Sequence, residues 1–316
     1  MLIDMRRNTQ FPELSYANEN HTRLKRWFIR SVEGLSGRDR YARLYEIWRR
    51  EIVPTGERIF GRMLDLIDVS VHCRDEWPPR ELPDGPLVIV ANHPFGIGDG
   101  IAVLSLAERL GRPFRVMIHR DLLRIREMEP YALPVDFDET KEALKNNMAI
   151  RHEALRLLKE GVTVVIFPAG GVATAPKGFG KAEDLPWKMF PAKLVQEARA
   201  LVIPVYFSGQ NGRLFHLVSS QMNRSEQDGR LAKLVGNVSL TLRISLLIRE
   251  FARLSGKSIS VRIGPVIPWQ EMEPLRDRRD LIRFLHDRVF GLAPEQPARR
   301  RSMRKRLRRD RSALGA

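Results

Sequence analysis

The feature that most constrains the fold is a repeated alternation between short apolar runs and longer segments with helical spacing. The runs are LVIVAN at 87–92, FRVMI at 114–118, VTVVIF at 162–167, LVIPVYF at 201–207 and SISVRIGPVIP at 258–268. Continuous β-branched runs of this length are typical of strands that are buried on both faces of a sheet. Because helical segments separate them, the sequence predicts an α/β fold with a mostly parallel sheet flanked by helices.

Two amphipathic helices are predicted before the first of these strands. Apolar residues recur every three or four positions from Tyr41 to Ile52, and again from Ile59 to Ile67. A stripe of this kind usually packs against a protein core, which is the first interpretation. Since Trp48 and Phe60 lie among many arginines, a shallow membrane-facing surface is the second interpretation.

The charge of the chain is concentrated near its end. The formal net charge is +16, and residues 299–311, RRRSMRKRLRRDR, hold nine Arg or Lys and one Asp. We therefore divide the chain into an N-terminal extension (1–37), one α/β domain (38–292) and a basic, disordered tail (293–316). Such a tail suits anionic lipid or nucleic-acid phosphates, and its lack of aromatic residues for base stacking favours an anionic membrane surface over nucleic acid.

Composition also restricts the compartment. No run approaches the roughly 20 apolar residues of a membrane-spanning helix, and MLIDMRRNTQ is not followed by the apolar core of a signal peptide. The only cysteine, Cys73, forms no internal disulfide, and we interpret it as a packed or surface thiol. We expect a cytoplasmic protein that is held peripherally on the cytosolic face of a membrane.

The segment VIVANHPFGIGDGIAV at 88–103 carries the strongest chemical signal. His93 comes just after a predicted strand, where open α/β sheets bind their ligands, and glycines at 96 and 98 allow a tight turn. Asp99 then falls in the first turn of the next helix and can face the imidazole. A carboxylate bonded to one ring nitrogen selects the tautomer and makes the other nitrogen a better base, so the pair predicts a catalytic site.

These residues resemble a known family. NHPFGIGDG is similar to the first conserved block of the PlsC-like glycerolipid and lysophospholipid acyltransferases. Most members place four residues between the His and the Asp. This chain has five, as does the branch of hemolysin-like and ornithine-lipid acyltransferases. VIFPAGGVAT at 165–174 and VIPVYFSGQN at 202–211 resemble the third and fourth blocks of that branch, and the resemblance covers roughly residues 38–292.

The resemblance implies a mechanism without a metal or a cofactor. His93 would act as general base on the hydroxyl or amine of a lyso-lipid acceptor, with Asp99 orienting it. The acyl donor would be acyl-CoA or acyl carrier protein, attacked directly without a covalent acyl-enzyme, so that Cys73 is not a nucleophile. Backbone N–H groups of Gly170 and Gly171 would stabilise the oxyanion. The other substrate-binding candidates in the motifs are Asn92, Gly96, Gly98, Phe167 and Pro168.

The chain departs from the glycerol-phosphate members of the family in two ways. Those members carry a Glu after FP, where this chain has Ala169, and their second block with its Arg has no clear counterpart here. These departures argue against lysophosphatidate as the acceptor and leave an amine or a different lyso-lipid open. Four cations are candidate ligands of the acceptor head group, although each also fits an ordinary surface position: Arg120, Arg124, Arg151 and Lys177.

Two other functions stay open at this point. One is a metal-dependent hydrolase that uses His93, Asp99 and His119, although the sequence shows no cluster with the spacing of metal ligands. The other is a basic nucleic-acid- or lipid-binding protein without catalysis, which the net charge supports but which leaves the His–Gly–Asp turn unexplained.

Overall fold

A seven-stranded sheet organises the described part of the protein. The computed structural model describes residues 38–136, 140–228, 243 and 246–294. The strand order across the sheet is β1-β7-β6-β2-β5-β3-β4. The strands are β1 (Val69–Cys73), β2 (Leu87–Ala91), β3 (Phe114–His119), β4 (Ala132–Val135), β5 (Thr163–Ile166), β6 (Leu201–Ser208) and β7 (Lys257–Ile263).

Neighbouring strands are parallel with one exception, the antiparallel pair β6 and β7. At the centre of the sheet, Val88 of β2 is in register with Val164 of β5 on one side and Val202 of β6 on the other. All five residues of β2 are buried. The prediction of a mostly parallel α/β sheet is confirmed.

Helices cover both faces of the sheet. Side chains of β2 alternate between two cores: Leu87, Ile89 and Ala91 join one, and Val88 and Val90 join the other. The first core is closed by α1, α2 and α3, and the second by α4, α5 and α8. The helices are α1 (Arg38–Ile47), α2 (Ile59–Leu66), α3 (Ile97–Glu108), α4 (Lys141–Lys159), α5 (Phe190–Ala198), α6 (Arg213–Asp228), α7 (Trp269–Met272) and α8 (Arg278–Phe290), with a further helical stretch at 246–252.

Side chains cap several helix starts. The Thr140 side chain accepts a hydrogen bond from the Ala143 N–H at the start of α4. At the start of α8, the Asp277 side chain accepts the N–H groups of Arg279 and Asp280. At α2 the cap comes from a neighbouring helix, because the Glu108 carboxylate of α3 accepts the N–H groups of Phe60 and Gly61 at 2.9 and 3.0 Å. This long-range cap fixes α2 against α3.

The aromatic residues of the first two helices lie inside the protein. Trp48, in a π-helical turn (Trp48–Ile52) that continues α1, and Phe60 of α2 are each only 1% exposed. The indole N–H of Trp48 donates to the Ile59 carbonyl at 2.9 Å. The interpretation in which these aromatic residues face a membrane is therefore wrong. Their stripes are the core-facing side of α1 and α2.

Two strands escaped prediction, both at the edges of the sheet. β1 alternates buried and exposed residues over only five positions, and β4 is four residues long and contains Pro134. Neither shows the continuous apolar run of a central strand. Between α6 and β7, residues 246–252 are helical. The predicted N-terminal extension and all but residues 293–294 of the predicted basic tail lie outside the described residues, as do residues 229–242. In the described part of the chain, no helix is both long and apolar enough to cross a bilayer.

Candidate active site

Asn92 fixes the exit of the chain from β2 toward His93. Its amide N–H donates to the Phe207 carbonyl at 3.0 Å, and its amide oxygen accepts the Phe207 N–H at 2.7 Å. A buried side chain thus continues the pairing of β2 with β6 by one more residue. Both polar ends of Asn92 are engaged with backbone, so the structure gives this substrate-binding candidate a positioning role.

Asp99 and His93 lie together as the turn predicts. The Asp99 Oδ1 is 3.0 Å from the His93 Nδ1, and its Oδ2 accepts the Phe95 N–H at 2.8 Å. Asp99 is fully buried in the first turn of α3, where the helix dipole favours a negative charge. The His93 side chain is 17% exposed, but its Nδ1 is buried. Nε2 is therefore the ring nitrogen that is left to meet a substrate.

The two glycines of the motif shape the turn and allow close packing. Gly96 has a φ of +81°, a conformation that an L-residue rarely adopts. At Gly98 a Cβ atom would lie 2.5 Å from the Leu254 Cδ1, because the start of α3 packs closely against the segment before β7. Gly96 is thus explained by its backbone conformation and Gly98 by close packing. Gly98 is buried in its contact with Leu254 rather than lying at the surface.

The loop after β5 forms one wall of the site. The Phe167 ring stacks on the His93 ring, with centroids 4.1 Å apart and planes 28° from parallel. Pro168 is buried, and its carbonyl accepts the Lys188 N–H at 2.9 Å. The Gly170 N–H donates to the Phe167 carbonyl at 3.0 Å, so it is used by the turn itself. Of the predicted oxyanion pair, this leaves the Gly171 N–H, which makes no backbone hydrogen bond to the described residues.

A second carboxylate, Asp184, was not predicted. Its Oδ1 accepts the backbone N–H of His93 at 3.3 Å, and its Oδ2 accepts the indole N–H of Trp187 at 3.1 Å. Burial raises the pKa of Asp184, although the hydrogen bonds from Trp187 and His93 oppose that rise. Nothing in the local sequence marks Asp184, because its contact with His93 spans 91 positions.

The four candidate head-group cations lie in different places. Arg120 directly follows β3 and forms an ion pair with the buried Asp136, and Arg124 ends the 3₁₀ turn that Arg120 begins. Arg151 lies in the middle of α4 with its guanidinium carbon 5.1 Å from the centre of the Phe190 ring. Lys177 is exposed on the loop after Gly171. Arg120 and Arg124 share the carboxyl edge of the parallel strands with His93.

The residues of the hydrolase alternative do not converge. The Nδ1 of His119 accepts the Asp121 N–H at 3.1 Å, within its own turn. Among the residues that the structure describes, no three His, Cys, Asp or Glu side chains are grouped so as to hold a metal ion. Cys73 ends β1, which runs opposite to β2, so its thiol lies toward the other edge of the sheet. Burial raises the pKa of that thiol, which disfavours the nucleophilic thiolate.

A cleft of about 250 Å³ lies away from this site. It is lined by Asp75, Trp77, Arg80, Ile203 and Pro265, among others. Ile203 belongs to the amino-terminal half of β6, whereas His93 follows the carboxyl end of the parallel strand β2. The cleft and the His93–Asp99 pair are therefore at opposite edges of the sheet.

Comparisons with known proteins decide the family. A family model described as Acyltransferase matches residues 24–294. The chain belongs to the acyltransferase family. Two curated relatives of this acyltransferase are named lyso-glycine lipid O-acyltransferase. The protein from Phocaeicola vulgatus is 23% identical over 236 residues, which are 72% of this chain and 75% of that protein. The protein from Bacteroides thetaiotaomicron is 25% identical over 235 residues, 72% and 77% of the two chains.

A solved structure is also similar. It is the 1-acyl-sn-glycerophosphate acyltransferase PlsC from Thermotoga maritima, at 16% identity and a TM-score of 0.45, with 87% of this chain and 96% of that chain covered. The predicted resemblance to PlsC-like acyltransferases is confirmed by the family match and by the curated relatives.

Proposed function

We propose that this acyltransferase moves a fatty acyl group from an acyl thioester, acyl-CoA or acyl carrier protein, to a hydroxyl or amine of a lyso-lipid acceptor. The observation that carries the proposal is the buried Asp99 carboxylate 3.0 Å from the Nδ1 of a partly exposed His93. The pair lies at the carboxyl edge of the central strands, where α/β sheets bind ligands, in a chain of the acyltransferase family.

The chemistry follows from this geometry. His93 Nε2 takes the proton of the acceptor as the acceptor oxygen or nitrogen attacks the thioester carbonyl carbon. Asp99 holds the proton on Nδ1 and stabilises the imidazolium that forms. The tetrahedral intermediate then expels the thiolate, the carbon–sulfur bond breaks, and the proton on Nε2 passes to the leaving sulfur. No metal or cofactor is needed, because a thioester is already activated.

The developing oxyanion needs a hydrogen-bond donor near the His93 ring. We assign this role to the Gly171 N–H, because the Gly170 N–H donates to the Phe167 carbonyl. The loop that carries Gly171 begins at Phe167, whose ring stacks on His93. An N–H group fixed in this way stabilises an oxyanion without reorganisation.

The names of the two curated relatives support a lyso-lipid hydroxyl as the acceptor. Its head group would meet the cations at the same edge of the sheet. Arg120 and Arg124 lead this group because they follow β3 directly, while Arg151 and Lys177 are further candidates. We further propose that the enzyme works peripherally on the cytosolic face of a membrane. There the cations of 299–311 would each contribute about 1 kcal/mol of attraction to anionic lipid.

Replacement of the two central residues tests the mechanism. We expect His93→Ala to lower kcat by roughly a hundred- to ten-thousand-fold, since that is what a general base contributes. Asp99→Asn should also be severe because the preferred tautomer is lost. The measurement is acyl transfer from acyl-CoA and acyl carrier protein to a panel of lyso-lipids by the purified full chain. Unchanged thermal unfolding of His93→Ala would show that its fold is intact.

His119→Ala is the matched control. This histidine also ends a strand of the sheet, and its Nδ1 accepts the Asp121 N–H in the turn that follows. The proposed mechanism gives it no role, so activity should stay near that of the wild type. Near-normal turnover by folded His93→Ala would contradict the proposed role of His93 as general base. Loss of activity in His119→Ala, together with loss on chelation and recovery with one divalent metal, would instead favour a metal-dependent hydrolase.

A further inference from the structure

Three apolar side chains form an exposed patch beside the active site. Phe179, Leu214 and Leu217 are 66%, 47% and 45% exposed. A Cβ atom at Gly178 would lie 2.9 Å from the Leu217 Cδ2, so the chain next to Phe179 packs directly on α6. Leu214 lies one turn before Leu217 on the same helix face. We call these three residues the apolar patch.

The loop that carries Phe179 is tied to His93 at both ends. The Ala173 N–H donates to the His93 carbonyl at 2.8 Å, and the His93 N–H donates to the Asp184 carboxylate at 3.3 Å. Between these points, Thr174 and Glu183 pair as an antiparallel bridge. The catalytic residue and the loop therefore form one unit, and whatever holds the loop also orients His93.

The tip of the same loop is fixed to the end of the sheet. The Gln210 amide oxygen accepts the Ala182 N–H at 2.9 Å, and its amide N–H donates to the Gly180 carbonyl at 3.0 Å. These hydrogen bonds hold the backbone that directly follows Phe179. Exposed apolar side chains that are grouped in a patch, as Phe179 is with Leu214 and Leu217, mark an interaction surface.

The charges around the apolar patch define that surface. Lys177, Lys181 and Arg213 are exposed within a few positions of its members, with one exposed acid, Glu183, at the base of the loop. Apolar side chains ringed by long basic side chains are typical of segments that bind the interface of an anionic bilayer. The formal net charge of +16 favours the same partner.

We infer that the apolar patch and its ring of cations dock on an anionic lipid bilayer and seat His93 at the lipid–water interface. This inference rests on the proposed function, because it supplies the place where a lyso-lipid acceptor would meet the base. Three side chains alone bind a bilayer weakly, and basic residues alone are sensitive to salt. The patch would bury its apolar side chains in the bilayer, and the basic segment 299–311 would be attracted to the anionic lipid head groups.

A vesicle-binding experiment tests the patch with a matched control. The full chain, the double variant Phe179→Ser/Leu217→Ser and the control Leu144→Ser/Met148→Ser are sedimented with vesicles of phosphatidylglycerol and phosphatidylcholine. Leu144 and Met148 are apolar residues of comparable exposure, 62% and 57%, one turn apart on α4. We expect about tenfold weaker binding or more for the patch variant, as removal of two buried apolar side chains implies, and unchanged binding for the control. Equal losses in both variants would overturn the assignment.

Activity separates this inference from the proposed function. With the lyso-lipid acceptor embedded in vesicles, the patch variant should show a raised KM, while its turnover of detergent-dispersed acceptor stays normal. Wild-type rates on vesicles would contradict the docking surface and leave the acyl transfer intact. Absence of acyl transfer by the wild-type chain in both formats, with vesicle binding still dependent on the patch, would overturn the proposed function and leave the docking surface standing.

A fluorescent label measures the depth of the loop directly. Because Cys73 is the only cysteine, Cys73→Ala combined with Phe179→Cys places one environment-sensitive fluorophore at the loop tip. The label should shift to the blue on vesicles containing phosphatidylglycerol and be quenched by nitroxide lipids, whereas a label at Leu144→Cys should do neither. A tip label that vesicles leave unchanged, or that responds to RNA instead, would contradict the inference.

Discussion

The first two helices and the apolar patch contain similar residue types, but their aromatic side chains differ in exposure. Each region has at least one large aromatic residue with arginine or lysine nearby in the sequence. Trp48 and Phe60 are 1% exposed because they pack against each other inside the first core, whereas Phe179 is 66% exposed among the described residues. Aromatic residues among cations therefore do not by themselves mark a membrane surface. What packs on them decides the outcome.

The largest expected contrast is in stability. Trp48→Ala should lower the free energy of unfolding by about 3–5 kcal/mol, because it empties a buried site and leaves the Ile59 carbonyl without its indole donor. Phe179→Ala should change it by no more than about 0.5 kcal/mol, as is usual for an exposed side chain. Urea unfolding of the two variants makes the comparison. Similar losses of unfolding free energy in the two variants would mean that Phe179 is packed against the protein, as Trp48 is.

Two glycines allow a covered position and an open one to be compared at similar backbone strain. Gly209 and Gly180 both have positive φ, +128° and +98°, but only Gly209 is covered: its Cβ atom would lie 2.4 Å from the Phe95 Cζ, and Gly180 has open space. Both alanine variants should be destabilised by strain, and Gly209→Ala by about 1–3 kcal/mol more because of overpacking.

Activity provides a second measure for this glycine pair. The Phe95 N–H holds the Asp99 carboxylate, so displacement of Phe95 should lower kcat for Gly209→Ala in the detergent assay. Gly180→Ala should keep a normal kcat there. Equal stability and equal kcat in the two variants would show that contact with Phe95 does not support the active site.

The smallest expected effect lies at the root of the loop. His216 of α6 is buried and accepts the Ala175 N–H at its Nδ1, and burial lowers its pKa. The unfolded chain therefore takes up a proton near pH 6.5 while the folded chain does not. Stability should be complete above that pH and fall below it, by up to about 1.4 kcal/mol per pH unit. His216→Asn, which keeps an acceptor for Ala175, should flatten this part of the profile of Tm against pH. A wild-type profile in the variant would assign the acid loss to other groups.

Local sequence determined the centre of the fold and of the site. The apolar runs predicted five strands because a strand buried on both faces must be apolar at every position, as β2 is. The His93–Asp99 pair was readable for a related reason: six positions of chain with a glycine turn suffice to bring the imidazole and the carboxylate together. Edge strands β1 and β4 were missed because one exposed side relaxes the apolar requirement.

Contacts between residues far apart in the sequence depend on the tertiary structure alone. Asp184 reaches His93 over 91 positions and Asn92 reaches Phe207 over 115, and contacts at such separations leave no periodic pattern in the chain. The use of the Gly170 N–H by its own turn and the burial of Gly98 against Leu254 also depend on how loops meet. The same holds for exposure. Amphipathic spacing says which side of α1 is apolar, but packing against Ile59 and Phe60 of α2 is what buries Trp48. Phe179, in contrast, is 66% exposed among the described residues.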